Sequence, residues 1–263
     1  MAELWFVGLG LGDERGLSLE AFEVLKSADR VLAEEYTAVA PEGTLDRLER
    51  AIGHPIERLD RTLLESERPI LDALAAGSCV VLLVVGDPFA ATTHVALRVA
   101  AEEAGHTWRY LPSASILTAA AGYLGLMHYR FGRTVSLPFP APGFEPRSPL
   151  EQIGENRARG LHTLVLLDLE PRTARFLTAG EALRVLRERD PGGTTIPDEG
   201  LLAVAARVGR DDAAGFVGTF AELGSVDFGP PMHALVVLAP ELHFEEEAAL
   251  RRFRGPPRRA PVS

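Results

Sequence analysis

Cys79-Val80-Val81-Leu82-Leu83-Val84-Val85-Gly86-Asp87-Pro88-Phe89 is the stretch that sets the fold class. Seven residues run without polar alternation and stop at a glycine and an Asp-Pro turn. A strand of that kind is buried on both faces, as in a parallel sheet covered by helices. The segments around it keep the same logic. Upstream, Leu4-Trp5-Phe6-Val7 is a short apolar strand ending at Gly8-Leu9-Gly10-Leu11-Gly12. Ser18 is placed to cap a helix with Leu19, Phe22 and Leu25 on one face. Residues 30–33 are a second strand. Thr44 is placed to cap a helix with Leu45, Leu48 and Ile52 on its inner side, stopped by Gly53. Downstream, a helix after His94 runs to about Glu103, and residues 107–111 form another strand. Strands alternating with helices predict an α/β domain.

The second half has a different texture. Helices are expected over 115–124, before Gly160, from Thr178 through Leu186, and over 245–253. Strands are expected over 134–137, 164–169, 201–208 and 234–238, with a short turn or helix at 220–223. The division falls near Pro112, giving an N-terminal α/β domain over 1–112 and a C-terminal α/β domain over 113–263. Its basic end, from about Arg254, is interrupted by prolines and reads as a solvated tail.

Composition narrows the class. The chain has 263 residues, 46% of them hydrophobic and 24% charged, the balance of an ordinary soluble globular protein. Its single cysteine, Cys79, excludes an internal disulfide or a zinc knuckle and lies in the apolar strand as core. The net charge of −10 disfavours direct binding to nucleic acid or an anionic membrane. No apolar run approaches the length of a membrane span. The expected location is the cytoplasm.

Three strand exits could carry chemistry. Gly8-x-Gly-x-Gly12 invites a dinucleotide reading, but that fingerprint starts its helix at the glycines, and here Ser18 comes later. A tight strand-exit turn and a ligand contact both remain open there. Gly86-Asp87-Pro88 follows the most buried strand at its carboxyl end, where open α/β sheets bind ligands. An ordinary Asp-Pro turn fits the same residues. Ser113-Ala114-Ser115-Ile116 is the next exit, and its serines can cap a helix or meet a ligand. His233, alone before a strand, is more often structural. No hydrolase triad, zinc motif or Walker loop occurs in the sequence.

Taken together, these segments resemble the diphthine synthases, methyltransferases of the tetrapyrrole-methylase fold. The resemblance is carried by residues 6–15, Ala33-Glu-Glu-Tyr-Thr37, Gly86-Asp-Pro-Phe-Ala-Ala-Thr-Thr-His94, Ser113-Ala-Ser-Ile116, Gly160-Leu-His-Thr-Leu-Val-Leu-Leu-Asp168 and Phe228-Gly-Pro-Pro-Met-His233. It implies two α/β domains with S-adenosyl-L-methionine in the cleft between them, and a homodimer. It implies cofactor contacts at Leu11, Asp87, Ala90, Ser115, Ile116, Leu167, Val208 and His233. It also implies the substrate, elongation factor 2, whose 3-amino-3-carboxypropyl-modified histidine is methylated repeatedly on its amine in diphthamide biosynthesis. Water or a nearby side chain such as His94 is available to take the amine proton, and the sequence selects neither. Arg130 and Arg133, flanking Phe131-Gly132, are either solvated surface charges or residues that hold the substrate carboxylate. Three rival readings are weaker. A corrin-precursor methylase of the same fold lacks the Ala-Thr-Thr-His continuation. A nicotinamide-dependent oxidoreductase is opposed by the late helix start. A non-enzymatic binding module leaves three ligand-like strand exits unexplained.

Overall fold

The computed structural model describes residues 2–34, 38–59, 62, 66–141, 143 and 146–255. Glu35, Tyr36 and Thr37 of the second strand exit, and Arg258 and Arg259 of the basic end, lie outside them. The chain forms two compact units, Met1–Ser115 and Ile116–Ser263.

In the first unit β1 (Glu3–Gly10), α1 (Leu19–Ser27), β2 (Arg30–Glu34), α2 (Thr44–Ile52), β3 (Ile56–Leu59), α3 (Arg68–Ala75), β4 (Cys79–Val85), α4 (Val95–Glu103) and β5 (Thr107–Leu111) follow one another. The strands make one sheet in the order β3-β2-β4-β1-β5, parallel throughout. β4 is central, and its two faces feed two cores. Val80, Leu82 and Val84 pack with Leu4, Phe6 and Leu32 against Ile70 and Leu74 of α3 and Leu97 of α4. Val81 and Leu83 pack with Val7, Leu9 and Val31 against Leu25 of α1 and Leu48 of α2. That double burial is why the run lacks alternation. Cys79, at the strand's start, is half-buried, and its amide donates to Asp29 Oδ2 at 2.7 Å.

Two local expectations are corrected. Ser18 does cap α1, accepting from the Ala21 amide at 3.0 Å, but Leu19 is 89% exposed. The buried stripe runs through Ala21 and Leu25 instead, so Leu19 opens the helix on its solvent side. Thr44 is the first residue of α2 and buried; Gly43, at φ +74°, is the cap.

The second unit contains α5 (Ile116–Leu124), β6 (Val135–Leu137), α6 (Ser148–Ala158), β7 (Thr163–Leu167), β8 (Leu169–Glu170), β9 (Arg175–Phe176), α7 (Ala179–Arg189), β10 (Leu202–Ala206), β11 (Ala214–Gly218), α8 (Phe220–Leu223), β12 (His233–Val237) and α9 (Phe244–Leu250). Its main sheet has the order β11-β10-β12-β7-β6 and is antiparallel except for β6 beside β7. β11 is absent from the sequence reading because glycines break its apolar run. Gly215 is required there: a Cβ would come within 2.5 Å of the Phe253 ring. The expected last helix ends at Leu250 and tightens into a 3-10 turn over Arg251–Phe253.

A buried carboxylate ties this unit together. Glu246, fully buried in α9, accepts from the amides of Met127 and His243, both at 3.0 Å, and from His162 Nε2 at 3.1 Å. It also pairs with the Arg130 guanidinium. Burial alone would raise its pKa, but these donors hold it below the ordinary carboxylate value. The Ala239 amide donates to His162 Nδ1 at 2.9 Å, so the proton of the neutral ring sits on Nε2, toward Glu246. Burial lowers the His162 pKa. The folded state therefore binds fewer protons at this ring than the unfolded chain does. The stabilisation is complete above pH ~6.5, the ordinary histidine value, and is lost as pH falls below it. Urea titrations from pH 8 to pH 5 should show the wild type losing stability on that limb. At pH 7, Glu246→Ala should cost about 3–5 kcal/mol, because it leaves the half-buried Arg130 cation, His162 Nε2 and two backbone amides without their acceptor.

Candidate active site

In a parallel sheet every strand leaves at the same edge. The exits of β4, β1 and β5 are therefore adjacent, and the first unit gathers Leu11, Asp87, Ala90 and Ser115 there. The exits are joined by backbone. Gly10 and Gly86 exchange both hydrogen bonds, at 3.1 and 2.8 Å. Both are in the left-handed region, at φ +83° and +82°, which glycine adopts without strain. A Cβ on Gly86 would project into open space, with nothing closer than the Ala114 carbonyl at 4.0 Å.

Asp87 is the polar centre of this edge. Its Oδ1 accepts from the Phe89 amide at 3.0 Å. Its Oδ2 accepts from the Tyr110 hydroxyl at 2.5 Å and from the Ser113 amide at 3.2 Å. One carboxylate thus fixes its own loop and the exit of β5. Each carboxylate oxygen offers about two acceptor positions, so among the described residues one on Oδ1 is unused. Burial and the bond to Asp87 push the Tyr110 phenol up to about 12. Phe89 anchors the loop from below, its ring 4.8 Å from Phe6 and 5.0 Å from Tyr110. Tyr110 was missed by sequence reasoning, which saw residues 107–111 only as a strand.

The other end of the loop is held by His94, the residue before α4. Its Nδ1 lies 2.7 Å from the Pro88 carbonyl oxygen, which also accepts from the Thr92 hydroxyl at 2.6 Å. Its Nε2 is buried and has no hydrogen-bond partner among the described residues.

The second unit gathers its own group at one end of its main sheet. Leu167 ends β7, Val208 follows β10, and His233 opens β12, the strand between them. Ile116 opens α5. His233 Nδ1 accepts from the Ala179 amide at 3.1 Å, the first amide of α7. Its proton is therefore on Nε2, which is buried and without a partner among the described residues. Burial and the nearby Arg207 cation lower its pKa, against the pull of carbonyls in the 228–230 loop. Arg207 spans that loop, donating to the Phe228 carbonyl at 2.9 Å and the Pro230 carbonyl at 2.5 Å.

Arg130 is not poised for a substrate carboxylate. It is paired with Glu246 and donates to the Glu241 carbonyl at 2.7 Å, so its charge serves the fold. Arg133 binds Gln152 Oε1 at 3.1 Å on the surface. Among the described residues no cluster of histidine, cysteine or acidic side chains could hold a metal ion, and no helix is long and apolar enough to cross a membrane.

Residues 3–224 match the family model of tetrapyrrole (corrin/porphyrin) methylases. The diphthine synthase of Methanothermobacter thermautotrophicus is 42% identical over 97% of both chains. The diphthine methyl ester synthase of Aspergillus fumigatus is 38% identical over 95% of this chain and 93% of its own. A crystal structure of diphthine synthase superposes with a TM-score of 0.87 at 35% identity, covering 96% of each chain. The edge geometry gives a first test independent of these relatives. Asp87→Ala should lower stability by about 2–3 kcal/mol and Tyr110→Phe by about 1 kcal/mol, measured by denaturant unfolding, because the first strands three donors and the second removes one bond.

Proposed function

Since the chain belongs to the tetrapyrrole methylase family, among its diphthine synthases, we propose that it transfers methyl groups from S-adenosyl-L-methionine to the amine of the 3-amino-3-carboxypropyl-modified histidine of elongation factor 2. The chain is a methyltransferase of diphthamide biosynthesis. The single observation that carries the donor assignment is the glycine-bridged, Asp87-braced edge of the parallel sheet. It offers open space over Gly86 and an acceptor position on Asp87 that none of the described residues uses. His233 adds a buried N–H donor that nothing described in the protein uses. An adenosyl and amino-acid ligand carries both acceptors and donors, so these groups fit it. The contacts proposed for the donor are Leu11, Asp87, Ala90, Ser115, Ile116, Leu167, Val208 and His233.

When bound, the donor supplies a sulfonium methyl that needs no further activation. The residues then have to place a neutral amine in line with it. Orientation of that kind is worth about 7–11 kcal/mol in well-aligned systems. The rigidity of the Asp87 loop is the local means: its carboxylate, Phe89 ring and Pro88 carbonyl are each held from a different element. We further propose a cytoplasmic homodimer, for which light scattering at micromolar concentration should return twice the monomer mass.

Mass spectrometry of elongation factor 2 bearing the aminocarboxypropyl intermediate should show successive methyl additions after incubation with enzyme and donor. S-adenosylhomocysteine should raise the melting temperature and NAD should not. Asp87→Ala should weaken S-adenosylhomocysteine binding by roughly 10- to 150-fold in calorimetry, the loss expected of one hydrogen bond to a charged group. Unchanged affinity would remove Asp87 from the site.

A further inference from the structure

We infer that His94 is the proton acceptor for the substrate amine, with Nε2 as the accepting atom. The inference rests on the methyltransferase reading above. The carbonyl oxygen of Pro88 can only accept, so the 2.7 Å contact makes His94 Nδ1 the protonated nitrogen. Nε2 then carries a lone pair. It is buried in a side chain only 3% exposed, with no partner among the described residues. A buried polar atom without a partner costs about 1–3 kcal/mol. The Thr92 hydroxyl also donates to the Pro88 carbonyl, so that carbonyl does not depend on His94 alone.

The position suits the task. His94 closes the loop that begins at Gly86 and contains Asp87 and Ala90, so the ring is fixed to the same turn as the proposed donor contacts. A base needs hydrogen-bond reach to its proton, directly or through one water. The step balances. The substrate ammonium gives one N–H proton to Nε2. The freed nitrogen lone pair forms the N–C bond as the methyl carbon's bond to sulfur breaks, and sulfur keeps that pair. The imidazolium then releases its proton to solvent. Each transfer leaves the nitrogen cationic, and one of its remaining N–H protons must leave before the next round, so one acceptor serves them all.

The ionisable groups placed around His94 are few. Glu34 ends β2 on the sheet face that α4 covers, two residues after Leu32. Asp87 and Tyr110 are bonded to each other in and beside the loop. Arg98 lies one turn along α4, its guanidinium over Trp108 and 3.9 Å from Glu102. None of them is bonded to Nε2.

His94→Asn separates bracing from proton transfer, because its amide N–H can still donate to Pro88 while the Nε2 position is emptied. The variant should fold and bind S-adenosylhomocysteine as the wild type does, with KM for elongation factor 2 unchanged. Its kcat at neutral pH should fall by roughly 100-fold or more, the usual loss on removing a general base. That deficit should shrink as pH rises and the amine loses its proton to solvent unaided. Wild-type kcat with an unchanged pH profile would overturn the inference. So would a loss that is constant with pH and accompanied by weaker S-adenosylhomocysteine binding, which marks a brace alone. Should the variant not fold, ring 15N spectra of the wild type decide: a protonated Nδ1 with bare Nε2 supports the assignment, and the opposite tautomer refutes it. A wild-type enzyme that methylates nothing on elongation factor 2 would sink the methyltransferase reading first, and this inference with it.

Discussion

At the carboxyl edge of the parallel sheet, strands leave hydrogen-bonding register together, and the amides of their exits need new acceptors. Water could serve, but water would leave the loops loose. Here the acceptors are internal. The Gly10–Gly86 exchange ties β1 to β4, and the Asp87 carboxylate ties the loop after β4 to the exit of β5. The edge is therefore rigid before any ligand arrives. That rigidity has a limit that is itself informative: Asp87 is almost saturated by the protein, so it contributes to ligand binding mainly by shape and by one remaining acceptor position. A charged side chain in a motif can thus do more for the geometry of its neighbours than for the ligand directly.

Glu246 performs a parallel duty in the second unit, without any claim on a ligand. Four donors converge on it: Met127 and Arg130 from one turn, His162 from before β7, and His243 from the cap of its own helix. A buried carboxylate is costly unless every lone pair is used. Its full satisfaction explains why Arg130 and His162 are where they are. The unit is sensitive to acid at His162: a proton added to Nδ1 removes the acceptor of the Ala239 amide and places a charge in a buried site, while Nε2 can still donate to Glu246.

Much of the parallel unit was legible in the chain. The unbroken run from Cys79 to Val85 could only be buried on two faces, and the turn after it could only lie at the carboxyl edge. The residues of the candidate site that follow strands directly were visible for the same reason. Tyr110 was not, because its link to Asp87 spans 23 residues and depends on which strands are neighbours. Arg130 was misread because a sequence displays the cation and hides the anion, which here stands 116 residues away. β11 was missed since Gly215, which the Phe253 ring requires, also erases the apolar pattern that announces a strand. Local periodicity reports what a residue's own element needs; it is silent on contacts that the fold alone creates.

Three histidines, His94 and His162 buried and His233 half-buried, show how much that silence covers. His162 and His233 both accept a backbone amide at Nδ1, so each presents an N–H at Nε2. His94 is the reverse, donating at Nδ1 and presenting a lone pair. The partner of the anchored nitrogen matters as much as the tautomer. A carboxylate, as His162 has in Glu246, would stabilise an imidazolium and hold its proton. At His94 the anchor is the Pro88 carbonyl, which only accepts and so fixes both the ring and its tautomer. The sequence, which shows the same letter at all three positions, could not have told this histidine from the others.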